Sequence, residues 1–249
     1  MNQTALRVAA TLSFAGTITV NALANILPIN GLTTGQVSDL YPSLFTPAGF
    51  TFSIWSVIYF LLAGFVVMSW LRPNEKIINR ILSWFILTCL FNVSWIVAWH
   101  HLLAPLSAGI MLALLVALII TFQILHQSDD TDTKLKFWVV LPFTIYLAWI
   151  CVATIANIAA VLISLDWQGW SISPQLWTVL MMTVAAALAL KVTLDYRVPF
   201  FSLVVIWALF GIYFRWHTGG YSAITITALV LITFLAVCIF YVTRKRTTT

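Results

Sequence analysis

Apolar residues run along this chain in long stretches parted by short polar breaks. Eight of the stretches, at about residues 5–27, 49–70, 79–99, 105–126, 137–163, 175–192, 198–214 and 221–243, are long enough to cross a bilayer as helices. A helix hydrogen-bonds its own backbone, which hydrocarbon cannot do for it, so the pattern predicts an all-α fold, a polytopic membrane helix bundle. The sixth and seventh stretches are the shortest and are parted only by Asp195, Tyr196, Arg197, Val198 and Pro199, which leaves room for tilting or partial re-entry. The loops are short, so no soluble domain is expected. The longest, about residues 28–48, reads PINGLTTGQVSDLYPSLFTPA and is either a lid over whatever the bundle binds or an ordinary connector.

Charge fixes the count and gives an orientation. With the N-terminus inside and the spans alternating, Arg7, Arg72, Lys76, Arg80, Lys134, Lys136, Lys191, Arg197, Arg244, Lys245 and Arg246 fall inside, and only Arg215 falls outside. Eleven against one is the split that the positive-inside rule requires, and adding or losing a middle span would scramble it. The expected location is the cytoplasmic membrane with both termini cytoplasmic. Arg7, the first apolar stretch and Ala22-Leu23-Ala24 also resemble a secretion signal, but the stretch is long and carries Asn21 and Asn25 on one face, so an uncleaved span is the favoured reading.

Composition agrees. Of 249 residues, 62% are hydrophobic and 8% charged, against roughly 25% charged in soluble domains. The net charge of +5 comes from basic residues scattered between apolar runs, which speaks for topology and against nucleic acid. Cys89, Cys151 and Cys238 each sit inside an apolar run, without metal or redox spacing, and read as small buried hydrophobes. The turn HQSDDTDTKL at 127–136 lacks the glycine and terminal glutamate of a calcium loop and reads as a solvated turn.

No Asp, Glu, Lys or Arg lies near the middle of any span, which argues against a proton pump or ion-coupled carrier. The helix-interior amides are Asn21, Asn25, Asn92, Gln123 and Asn157, expected to face the bundle interior, either bonding between helices or lining a cavity. Among the twelve tryptophans, Trp70, Trp138, Trp167, Trp170 and Trp216 lie at or beyond span ends, as interfacial belt residues do. Trp55 and Tyr59 share a face of the second span, Asn92 and Trp95 of the third, and Tyr146, Trp149 and Asn157 of the fifth. Aromatic walls with a few amides suit a flat, largely apolar ligand, and plain helix packing is the alternative for each stripe alone.

The segment FTPAGFTFSIWSVIY at 45–59, Phe91-Asn92-Val-Ser-Trp95, and Tyr146-Leu-Ala-Trp149 followed by Asn157 resemble motifs of the second, third and fifth helices of the tryptophan-rich sensory proteins. That family includes the mitochondrial translocator protein, also called the peripheral benzodiazepine receptor. The resemblance covers about residues 5–163. It implies a five-helix core over 1–163, with three additional helices and a basic tail over 164–249. The chain departs from the family pattern at Phe52, three residues before Trp55 instead of four; at Ile145, where the family has proline; and at Pro47-Ala48, where it has paired prolines.

The resemblance implies a pocket capped by the loop between the first two helices and walled by Pro47, Phe50, Phe52, Trp55, Tyr59, Asn92, Trp95, Tyr146, Trp149 and Asn157. Family members bind porphyrins, and some bind sterols or synthetic drugs. The leading expectation is thus a binding or sensory membrane protein for a porphyrin-like or lipidic molecule. A transporter or permease component for a small apolar metabolite is the alternative, although no inverted repeat is apparent. No cofactor is required, though a bound tetrapyrrole is allowed. The expected partners are membrane lipid, that small ligand and a second copy in a homodimer whose face the sequence does not name; nucleic acid is not among them.

Some family members are proposed to degrade porphyrin with light, which by position would involve Trp55 and Trp149. No nucleophile–base pair, paired carboxylates or metal cluster supports conventional catalysis. His100 and His101, at the end of the third span, are candidate haem-iron ligands, with a solvated loop pair as the favoured reading.

Overall fold

The computed structural model describes residues 2–27, 29–127 and 135–244. The aspartates and Lys134 of the 127–136 turn, and Lys245 and Arg246 of the tail, lie outside the described residues. The described chain is helical: α1 (Gln3–Ile26), the short α2 (Thr34–Asp39), α3 (Ile54–Leu71), α4 (Lys76–His100), α5 (Ala104–His126), α6 (Leu141–Ser164), α7 (Pro174–Tyr196), α8 (Pro199–Trp216) and α9 (Ser222–Arg244). Among the described residues, eight helices are long and apolar enough to cross a membrane, in the order the hydropathy pattern predicts. The protein is a multi-pass membrane protein and contacts lipid.

The helix ends follow local chemistry. Asn2 caps α1 by accepting from the Thr4 amide at 3.2 Å, and Ser173 caps α7 by accepting from the Leu176 amide at 3.2 Å, one residue before Pro174. Before α6 the helix widens to a π turn over Lys136–Val140, where the Leu141 amide reaches back to the Lys136 carbonyl. Pro142 follows with no amide to offer the turn, which explains the wider geometry there.

The sixth span is not short. It continues as α7 to Tyr196, because Lys191 and Asp195, one turn apart, carry the helix past the last apolar residues with an ion pair at 2.7 Å. Arg197 then takes a left-handed conformation at φ 54°, and Pro199 opens α8. Neither helix is re-entrant in length: α7 has 23 residues and α8 has 18.

The chain forms two compact units. The first contains the residues up to Val37 and Ile54–Ile150; the second contains Ser38–Ser53 and the chain from Cys151 onward. In the first, α1 packs on α4, α4 on α5, and α1 also touches α3. Its apolar interior is an edge-to-face set of Phe65, Phe85 and Phe143, with centroids 5.0 to 6.0 Å apart. Gly64 of α3 lies against the Trp138 indole so closely that a Cβ there would overlap the ring. In the second unit α7, α8 and α9 pack on one another, and the 3₁₀ turn Gly49–Ser53 lies on α8.

The long connector divides between the units. Its first part, with the 3₁₀ turn Ile29–Gly31 and α2 to Val37, belongs to the first unit, and residues 38–53 belong to the second.

Candidate functional site

The site grows from the head of α3. Trp55 follows one residue after the helix begins, and Tyr59, one turn on, stacks against it at 5.4 Å and 20°. α4 brings Trp95 to 6.5 Å from the Trp55 ring, while α6 brings Tyr146 to 5.8 Å and Trp149 to 6.4 Å, both edge-on. Trp95 in turn stacks on Trp99 at 5.9 Å. Trp55 is therefore the hub of an aromatic cluster drawn from three helices of the first unit.

One chain of polar groups runs into this cluster. The Asn21 side chain of α1 donates to Asn92 Oδ1 at 2.7 Å, and the Asn92 amide donates to the Tyr146 hydroxyl at 3.1 Å. Asn92 is fully buried and Tyr146 is 2% exposed, so these bonds lie away from lipid and water alike. Asn21 also donates to the Thr17 carbonyl one turn back, at 2.9 Å. Tyr59 adds a buried hydroxyl that meets hydrogen-bond geometry with no group among the described residues. The cluster thus sets aromatic faces beside a phenol and an amide.

Of the residues that the sequence suggested as a wall, Trp55, Tyr59, Asn92, Trp95, Tyr146 and Trp149 come together here. Pro47, Phe50, Phe52 and Asn157 belong to the second unit. There Phe50 packs edge-on against Trp207, Phe210 and Phe214 of α8 at 5.2 to 6.1 Å, Pro47 is buried, and Asn157 is 3% exposed. Trp99 was missed in the sequence, although its place one turn after Trp95 is the same signal that paired Trp55 with Tyr59.

His100 is not a solvated loop residue. It is fully buried, with Nδ1 3.1 Å from the Ile29 carbonyl and Nε2 3.1 Å from the Thr34 hydroxyl. A carbonyl only accepts, so Nδ1 carries the proton and Nε2 accepts from Thr34. Both ring nitrogens tie the connector to the end of α4, and neither is offered to haem iron. His101 is exposed. Among the described residues no group of three His, Cys, Asp or Glu is placed to hold a metal ion.

The sequence model of the family described as TSPO-like protein matches residues 7–241. The chain belongs to this family. The match extends past residue 163 and takes in the last three helices, so TSPO-like character is a property of nearly the whole chain. No curated protein and no solved structure matches it.

Proposed function

We propose that this TSPO-like protein binds a flat, largely apolar small molecule, porphyrin-like or lipidic, on the aromatic cluster around Trp55. The observation that carries the reading is the convergence of Tyr59, Trp95, Tyr146 and Trp149 on one indole within 6.5 Å, with Asn92 bonded to the phenol among them. Stacking on such rings is worth about 0.5–1.5 kcal/mol per ring pair beyond area burial. Asn92 and the two tyrosine hydroxyls orient the polar edge. The binding role is read as sensory or receptor-like, from the stacking surface around Trp55. On this reading the protein sits in the cytoplasmic membrane with both termini on the cytoplasmic side, the orientation that the split of basic residues favours.

The test is titration of the detergent-purified protein with protoporphyrin IX, read by tryptophan emission. Quenching that saturates at micromolar porphyrin is expected, and Trp55→Leu should weaken it at least tenfold. Tryptophan emission and porphyrin fluorescence that both stay flat would remove the reading. A carboxy-terminal phosphatase fusion tests the orientation: it should be inactive, and an active one would place that terminus outside.

A further inference from the structure

The connector residues 39–51 are held by a single face of α8. Trp207, Gly211 and Arg215 are four apart and stack along that helix, with Trp216 beside them. The Trp207 indole N–H donates to the Thr51 carbonyl at 2.9 Å, and the Trp216 indole N–H donates to the Leu44 carbonyl at 2.9 Å. Arg215 donates to the Pro47 carbonyl at 3.3 Å and pairs with Asp39 at 2.8 Å. Between them the Ala48 amide donates to the Gly211 carbonyl at 3.0 Å. A Cβ on Gly211 would come within 2.9 Å of Pro47 Cβ and would overlap the Thr51 hydroxyl, so only glycine lets the connector lie this close.

These contacts are specific in kind. Backbone groups of an irregular segment have no helix to pair them, and burying them unpaired is costly. α8 supplies those partners from side chains placed at helical spacing. Arg215, the one basic residue expected outside, is thereby accounted for: it bonds both an acid and a carbonyl of the connector.

The held segment does not end at the unit boundary. The 3₁₀ turn Gly49–Ser53 runs without a break into α3, forming one continuous span from Gly49 to Leu71. Thr51, whose carbonyl Trp207 holds, stands one turn before Trp55, about 6 Å along the helix.

We propose that α8 is a latch for residues 39–51, and that Trp207, Gly211, Arg215 and Trp216 are positioning residues that set the head of α3 and, through it, Trp55. Release of the latch frees residues 49–53, which run directly into α3, and so loosens the ring at the hub of the cluster: α8 tunes how firmly Trp55 holds its ligand. This rests on the reading that the Trp55 cluster binds the ligand.

The experiment uses the full chain with Cys89, Cys151 and Cys238 replaced by alanine and Ser43, a buried connector residue, replaced by cysteine. The rate of labelling by a water-soluble maleimide reports whether the connector is held, and protoporphyrin IX association and dissociation, followed by tryptophan quenching, report the site. Arg215→Met, Asp39→Asn and Gly211→Leu should each speed labelling about tenfold or more, and Arg215→Lys should restore part of the protection. The same variants should speed porphyrin dissociation severalfold.

Labelling that stays slow in Arg215→Met and Asp39→Asn proteins of unchanged elution overturns the latch. Fast labelling with unaltered porphyrin kinetics overturns the link to Trp55. If Gly211→Leu fails to fold, the two charge variants decide the matter. A parent protein that ignores porphyrin sinks the ligand reading instead, and the labelling result still stands.

Discussion

The Trp55 cluster and the α8 face satisfy their polar groups by opposite means. In the first, side chains bond to side chains: Asn21, Asn92 and Tyr146 close a chain inside an aromatic wall. In the second, side chains bond to backbone: two indoles and a guanidinium of α8 take up carbonyls of the connector. The same contrast separates two glycines. Gly64 makes room for a ring, Trp138, whereas Gly211 makes room for the small side chains of Pro47 and Thr51 on the connector. A network of buried side chains fixes which helices pack and how. A row of side chains on carbonyls fixes where a loop lies and can let it go. The first arrangement suits a binding wall and the second a movable part.

If that contrast is real, the largest loss of stability should come from the side-chain network. Asn92→Ala takes a bond from two buried partners, the Tyr146 hydroxyl and the Asn21 amide, which keeps its bond to the Thr17 carbonyl. Leaving a buried polar group unpaired costs about 1–3 kcal/mol, and bonds within lipid tend to the low end, so a loss of about 2 kcal/mol is expected. Thermal unfolding in a single detergent, followed by near-UV circular dichroism, measures it. Replacing all three residues with Leu, Leu and Phe should recover most of the loss, because no polar group is then stranded. A single variant as stable as the parent would show that the network is not what holds α1, α4 and α6.

Gly64→Ala comes next. The new methyl must displace the Trp138 ring, and overpacking of this kind costs about 1–3 kcal/mol, partly offset by up to about 1 kcal/mol of helix propensity. Combining it with Trp138→Leu should restore stability, and a double-mutant cycle would read the coupling. Additive losses would mean that the ring and the glycine do not meet.

How much of this was legible in the sequence depends on the physical range of each signal. Spans follow from local hydropathy, so α1 and α3 to α9 stand where their apolar runs predict. Trp55 with Tyr59, and Asn92 with Trp95, follow from helical spacing, and the structure brings those four together with Tyr146 and Trp149. Nothing local announces that Gly211 faces Pro47 and Thr51, more than 150 residues earlier in the chain. His100 looked solvated because it closes a helix beside a polar turn; its burial depends on Ile29 and Thr34 folding back over it. Trp138 and Trp216 looked like belt residues because position at a span end says nothing of what an indole covers. The end of α7 was placed early because its last turn is polar and is carried by Lys191 and Asp195.

The α8 face should prove weaker, residue by residue, than the network. Trp216→Phe keeps the ring and removes one donor, leaving the Leu44 carbonyl without its bond at 2.9 Å. One neutral hydrogen bond is worth about 0.5–1.5 kcal/mol, and water near the span end can replace part of it, so a loss of about 1 kcal/mol or less is expected in the same unfolding assay. A loss as large as that of Asn92→Ala would erase the distinction drawn between the two regions.

The smallest effect belongs to a contact that resembles the Asp39–Arg215 pair but lacks its surroundings. Lys191 and Asp195 lie 2.7 Å apart on the exposed last turn of α7. Such pairs gain little, since water and salt screen both charges and two long side chains lose freedom. Asp195→Asn should therefore leave unfolding unchanged within error at any salt concentration. Asp39→Asn should lower stability measurably at low salt and less at high salt, because Arg215 holds the Pro47 carbonyl as well and is only partly exposed. Equal responses of the two variants to salt would mean that the bond to the connector adds nothing to the charge pair, and α8 would then be an ordinary neighbour of the loop.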